Sequence, residues 1–253
     1  MAEEYLRRKP APASGPASAR ASSLSWRQFR AILRKDIVME LRTKEMVTSM
    51  GIYTLLTMVV YQIALSQAGS AFDPRTIAAG LLWLAFIFTS MLGLNRSLVH
   101  EKDQGCLEAL LLSPADRPII FFAKSIGNLV FLLIVEALTI PVFSFMFLQG
   151  KGYGGSWWMV PLVLTAGSVG IAGVGTLLAT MSVNTKGKDF VLAVLMVPLM
   201  YPLLLVAVSA TSAAVLGGDG SVQQFWSGMA GIAGYDAIML MAAYALYEFV
   251  IGA

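Results

Sequence analysis

The chain has 253 residues, 57% of them hydrophobic and only 13% charged, and a mean hydropathy of +0.71; this composition excludes an ordinary soluble globular protein and points to the membrane class. A net charge of +3 and a pI near 9.0 carry no nucleic-acid signal here, because the cations are distributed by segment rather than gathered into one patch. One cysteine permits no internal disulfide, and the length suits a single membrane domain behind a tail.

Residues 1–24 are rich in Ala, Pro and Ser with several Arg and Lys, too little apolar side chain to offset the entropy of ordering, and read as a disordered cytoplasmic tail. No apolar run follows its basic residues, so a cleaved signal peptide is not expected. Over 25–45 the character changes. Trp26, Phe29, Leu33, Ile37 and Leu41 keep helical spacing, while Arg27, Arg30, Arg34, Lys35 and Arg42 gather beside them. This predicts an amphipathic interfacial helix whose cations face anionic membrane lipid, although Asp36 and Glu40 intrude on its apolar side.

The rest, 46–253, reads as a six-span transmembrane domain. About 20 helical residues cross a ~30 Å hydrocarbon core. Six runs qualify, near 47–66, 76–96, 119–148, 157–182, 189–215 and 229–251. Pro141 in the third and Pro198 and Pro202 in the fifth predict kinks or breaks. Of the 18 Lys and Arg residues, only Arg75 and Lys151 fall in loops on one side; the rest precede residue 47 or lie after the second and fourth runs. The positive-inside rule then puts both termini and the 97–118 loop in the cytoplasm, and Trp157, Trp158 and Trp226 at the outer interface.

That loop is the one substantial polar stretch between spans. It opens on Arg96, Glu101, Lys102 and Asp103, breaks at Gly105, and continues with Leu107, Leu110 and Leu111 in an i, i+3, i+4 stripe beside Glu108. Ser113-Pro114 stops this short helix, and Asp116-Arg117-Pro118 restarts one. A leucine-faced helix presented to water needs a partner, so Glu101, Gly105, Leu107, Glu108, Leu110, Leu111 and Pro114 form a candidate docking element.

Within the spans, Gly167, Gly170 and Gly173 keep small residues on one helical face, suited to close packing against another span or another copy of the chain. Glu136 lies mid-span, where a carboxyl is expensive; it is either hydrogen-bonded to a neighbouring span or a proton carrier, and no second acid at matching depth is evident because Asp236 falls near one end of the last run. His100 and Cys106 are each alone of their kind, so no metal site is expected, and the 14 Met residues read as core filler. No stretch fits the phosphate-cradling Gly-x-x-x-x-Gly-Lys pattern, which assigns any ATP hydrolysis to another chain and makes this one non-catalytic.

Leu82-Trp83-Leu84-Ala85-Phe86, Gly93-Leu94-Asn95-Arg96-Ser97-Leu98 and the run Glu101 to Pro114 together resemble the heme exporter protein B (CcmB) family, the permease subunit of an ABC-type complex of bacterial cytochrome c maturation. The charged-Gly-x-Leu-Glu-x-Leu-Leu run followed by Ser-Pro is also similar to six-span ABC exporter permeases as a class. The resemblance implies an all-α integral membrane protein of ABC-2-type exporter architecture in the bacterial inner membrane, with residues 101–114 as its coupling helix. It implies a CcmA-like ATPase subunit carrying the ATP, a homodimer of this chain, CcmC-like and CcmD-like membrane subunits, and a CcmE-like haem chaperone released in its loaded form by ATP hydrolysis. A single histidine on the cytoplasmic side and the lack of a tryptophan-rich outer loop argue that haem is handled by those partners, with no cofactor bound directly by this chain. Two alternatives remain open at this point: an ABC-2-type permease for a lipid or glycolipid, and a proton-coupled secondary transporter using Glu136.

Overall fold

A computed structural model of the protein describes residues 17–67, 73–103, 117–148, 152–182 and 188–252. Those residues form seven helices: α1 (Ala17–Thr43), α2 (Glu45–Ser66), α3 (Arg75–Asp103), α4 (Arg117–Phe147), α5 (Met159–Ser182), α6 (Lys188–Leu216) and α7 (Ser221–Gly252). Helices α2 to α7 each contain a window long and apolar enough to cross a membrane, so the chain is an all-α, six-span protein. The bilayer leaves little choice: with no water in the hydrocarbon core, every backbone N–H and C=O must be paired within its own segment.

Helix α5 occupies the centre. Nearly its whole circumference is buried, from Met159 through Ser182, and α3 is the next most enclosed span. Around them α2, α4, α6 and α7 present apolar side chains outward; on α2 these are Ile52, Leu56, Val60 and Ile63, one per turn. Since lipid tails are as apolar as leucine, the spans are held together by close approach and by hydrogen bonds between helices rather than by a hydrophobic drive. Trp83 on α3 donates its Nε1–H to Thr211 Oγ1 on α6 at 2.9 Å, Asn128 on α4 donates to Thr176 on α5 at 2.9 Å, and the hydroxyls of Thr54 and Thr89 pair α2 with α3 at 2.8 Å.

The glycines of α5 set how closely the neighbours approach. Gly167 lies under the ring of Trp83, Gly170 against the side chain of Asp236, and Gly173 against Leu240. The stripe therefore divides between α3 and α7 of the same chain.

Two boundaries differ from the sequence reading. Helix α1 begins at Ala17 rather than at 25, its start drawn from alanine-rich sequence of high helix propensity that had been assigned to the tail. Helix α7 begins at Ser221 rather than near 229. Three glycines with positive φ, Gly217, Gly218 and Gly220, reverse the chain directly after α6, and Gln224 donates to Ser209 Oγ at 3.1 Å while Gly228 packs against Ala210. Polar residues read as a loop thus extend the helix outward along α6. Pro141, Pro198 and Pro202 lie inside continuous helices, not at breaks. Near Pro202, whose missing N–H leaves a carbonyl of the preceding turn unpaired, Tyr235 Oη donates to the adjacent Leu199 carbonyl at 3.0 Å.

At the end of the bundle away from the α3–α4 connection, Trp158 stacks edge-on with Phe225 at 5.7 Å and lies 6.5 Å from Trp226. There too Gly154 and Gly155 donate their N–H groups to the carbonyls of Val215 and Ala214 at 2.9 and 3.0 Å, and Arg75 Nη2 donates to the Val215 carbonyl at 2.9 Å. These bonds satisfy the open carbonyls at the C-terminus of α6.

The packing of α5 yields a direct prediction. Gly170→Val must displace the Asp236 side chain, whereas Gly234 on α7 has nothing within 4 Å of a new Cβ. Gly170→Val should lose about 1–3 kcal/mol, the usual range for overpacking, and melt at a lower temperature in detergent, with Gly234→Val close to wild type. Equal melting temperatures for the two variants would contradict the packing described.

Candidate functional site: the elbow at the roots of the polar loop

The docking residues proposed from sequence fall largely on undescribed positions: Gly105, Leu107, Glu108, Leu110, Leu111 and Pro114 lie outside the described residues. Glu101 belongs to the last turn of α3. What the structure describes is the pair of helices that carry this segment. Helix α3 continues as far as Asp103, well past the end of its apolar window at Arg96, so the charged opening of the expected 97–118 loop is a helical extension. On the return side α4 begins at Arg117 with Pro118 in its first turn, where a missing N–H is harmless.

Both roots touch one short piece of chain, the corner between α1 and α2. Lys44 makes that corner in the left-handed conformation, φ 53° and ψ 15°, uncommon for a residue with a side chain. Glu40, at the end of α1, accepts the N–H of Val47 at 2.8 Å and so supplies a partner to one of the open amides in the first turn of α2. One α-helical turn earlier on the same face, Asp36 pairs with Lys124 of α4 at 2.8 Å, and Lys35 lies 3.2 Å from the other carboxylate oxygen. Lys124 is only 4% exposed. Leu33 and Asp36 both approach Gly127, one turn further along α4, so α1 lies close over that face. The two acids that looked misplaced on an apolar face are therefore the residues that fasten α1 to the bundle.

The other root is fastened to the start of α2. Arg96, at the end of the apolar part of α3, reaches Glu45 at 2.5 Å and also donates to the hydroxyl of Ser49. Both partners of this pair are largely exposed, which limits it to about 0.2–1 kcal/mol. The Asp36–Lys124 pair is different in kind, since the Lys124 ammonium is withdrawn from water and its desolvation is offset by the groups around it, Asp36 among them.

On the outer flank of α1, Arg27, Arg30 and Arg34 line a groove of about 540 Å³ with Leu33, Ile37 and Val38 as its apolar part. Trp26 stacks on Phe29 at 5.3 Å just beyond it. Guanidinium groups above an aliphatic floor suit an anionic head group with an acyl chain.

Deeper in the bundle, Glu136 is 2% exposed and accepts a hydrogen bond from Ser168 of α5. Asp236 corrects the sequence reading. Because α7 starts at Ser221, Asp236 lies near its middle, 9% exposed, not at an end. Its partner surface on α5, Gly170, is two residues from Ser168, a rise of only about 3 Å. Two acids thus flank α5 on different sides at nearly one level, and the buried Oδ1 atom of Asp236 has no hydrogen-bond partner among the described residues. Sequence spacing sets Asp236 near an end only because the polar residues 221–228 do not look like part of its helix. No three His, Cys, Asp or Glu residues converge among the described residues.

Residues 27–248 match the family model described as CcmB protein. The heme exporter protein B of Haemophilus influenzae is 23% identical over 191 residues, spanning 74% of this chain and 83% of that protein. Its counterpart in Bradyrhizobium diazoefficiens is 25% identical over 187 residues, 74% of this chain and 82% of that protein. That of Paracoccus denitrificans is 26% identical over 144 residues, 56% and 64% respectively. The family match takes in α1 from Arg27, the elbow, the polar loop and the six span helices through most of α7, and the chain belongs to the CcmB family.

Proposed function

We propose that this chain is the permease subunit of an ABC-type complex of cytochrome c maturation in the bacterial inner membrane, coupling ATP hydrolysis on a separate CcmA-like ATPase to haem export or to release of a haem-loaded CcmE-like chaperone. The family match over 27–248 carries this reading, because it embraces both the spans and the loop between α3 and α4. Both termini and that loop face the cytoplasm, following the distribution of Lys and Arg. The Leu107, Leu110 and Leu111 face docks in a groove of the ATPase, with Glu101, Gly105, Glu108 and Pro114 shaping and ending the helix that presents it. Two copies of the permease join CcmC-like and CcmD-like subunits, and haem is handled by those partners. ATP-driven closure of the ATPase pair pushes the loop and tilts α3 and α4.

A proton-coupled transporter draws some support from the two buried acids beside α5, but the Ser168 hydroxyl gives the Glu136 carboxyl a structural partner without any transport role. The basic flank of α1 faces anionic phospholipid at the level where α1 turns into α2.

A mild-detergent pull-down of the tagged chain should recover an ATPase subunit together with cytochrome-maturation subunits. Replacing Leu110 and Leu111 by Asp should abolish recovery of the ATPase while the chain stays in the membrane; undiminished stoichiometry would refute docking through this face. Arg27→Gln, Arg30→Gln and Arg34→Gln combined should weaken binding of anionic phospholipid by about a hundredfold, at about 1 kcal/mol for each cation removed, and so lower the amount retained per chain, measured by lipid extraction and mass spectrometry. Retention equal to wild type would show that the flank does not hold lipid.

A further inference from the structure

At the elbow end of the bundle Lys35 and Lys124 meet Asp36, and Arg96 meets Glu45. Arg27, Arg30 and Arg34 are exposed and meet no acid among the described residues. They stand at i, i+3 and i+7 on α1, a single flank of the helix spread over about 10.5 Å. The two acids of α1 bond elsewhere, Asp36 to α4 and Glu40 to the first turn of α2, and neither lines the groove beside the arginines. That groove, about 540 Å³ in volume, has Leu33, Ile37 and Val38 as its apolar part. Leu33 also approaches Gly127 of α4, which fixes the apolar floor to the bundle and leaves it ready for a ligand.

A guanidinium fork takes phosphate oxygens two at a time. The row is longer than one phosphate needs: Arg27 and Arg34 are about two turns apart, and a phosphate held by one neighbouring pair leaves the third guanidinium without an anion. We propose that the groove is a site for a lipid of the diphosphatidylglycerol type, two phosphates on a shared glycerol, with Arg27, Arg30 and Arg34 dividing the phosphates between them and Leu33, Ile37 and Val38 receiving the upper acyl chain. This rests on the reading that this flank of α1 faces anionic phospholipid, and names the lipid. Once one phosphate is seated, the linker holds the second at high local concentration beside the next arginine, so the head group binds as one bivalent ligand. An acidic protein segment would satisfy the arginines but make little use of an aliphatic floor next to the Trp26–Phe29 stack, whose rings belong at head-group level.

The full-length chain, purified in mild detergent and stripped of lipid, is titrated in native mass spectrometry with tetraoleoyl diphosphatidylglycerol, dioleoyl phosphatidylglycerol and dioleoyl phosphatidic acid, the last at a pH where its one phosphate carries two charges. Diphosphatidylglycerol should bind about tenfold more tightly than phosphatidylglycerol, against the roughly twofold that counting phosphates gives, with phosphatidic acid within about threefold of phosphatidylglycerol. Arg27→Gln, Arg30→Gln and Arg34→Gln combined should bring the preference down to about twofold, whereas Arg42→Gln, which removes an exposed cation of α1 outside the groove, should leave it intact. Equal affinity for the two glycerol lipids, phosphatidic acid binding as tightly as diphosphatidylglycerol, or an undiminished preference in the triple variant would overturn the assignment while the anionic-lipid reading stood. Affinities for all three lipids unchanged by the triple substitution would bring down that reading as well, and loss of the ATPase subunit from the same variant would then assign the arginines to a protein.

Discussion

A lysine ammonium withdrawn to 4% exposure at the foot of a membrane helix must have a carboxylate beside it, and Asp36 is that carboxylate. Much of the architecture at this end of the bundle follows. With Asp36 committed to Lys124, α1 lies against α4; with α1 so placed, Glu40 comes within reach of the first turn of α2, and Lys44 takes the left-handed turn that joins them. The arginines of α1 are then left on the outward flank, where head groups rather than protein can receive them.

The spans themselves were readable from the chain because bilayer thickness imposes a length that few other constraints produce. The start of α7 was not. Its first turns carry Gln, Ser and Gly, which look like a loop until one sees that Gln224 and Gly228 pack along α6. Moving that start outward carries Asp236 into mid-span and changes the polar inventory of the core. The elbow was illegible for another reason: Asp36 and Lys124 stand 88 positions apart and Arg96 and Glu45 51, and charge pairs at such separations leave no periodic signal. Two acids on an apolar face did signal that a partner was missing from the picture. The loop's leucines, visible at once in the sequence, belong to positions outside the described residues.

Inside the bundle, polar side chains are used sparingly and in pairs. Trp83 with Thr211, Asn128 with Thr176, Thr54 with Thr89 and Glu136 with Ser168 each join two different helices, and each removes a group that hydrocarbon would otherwise penalise. Such bonds fix which helix faces which.

The central claim is that the α3–α4 loop hangs on the cytoplasmic side and is covered by an ATPase. The chain's single cysteine, Cys106, lies within that loop and makes the measurement possible without any substitution. A membrane-impermeant thiol reagent should label Cys106 in inverted vesicles and not in right-side-out ones, and addition of the ATPase subunit should protect it. Labelling from the outer face, or equal labelling with and without the ATPase in a complex that still matures cytochrome, would contradict the claim.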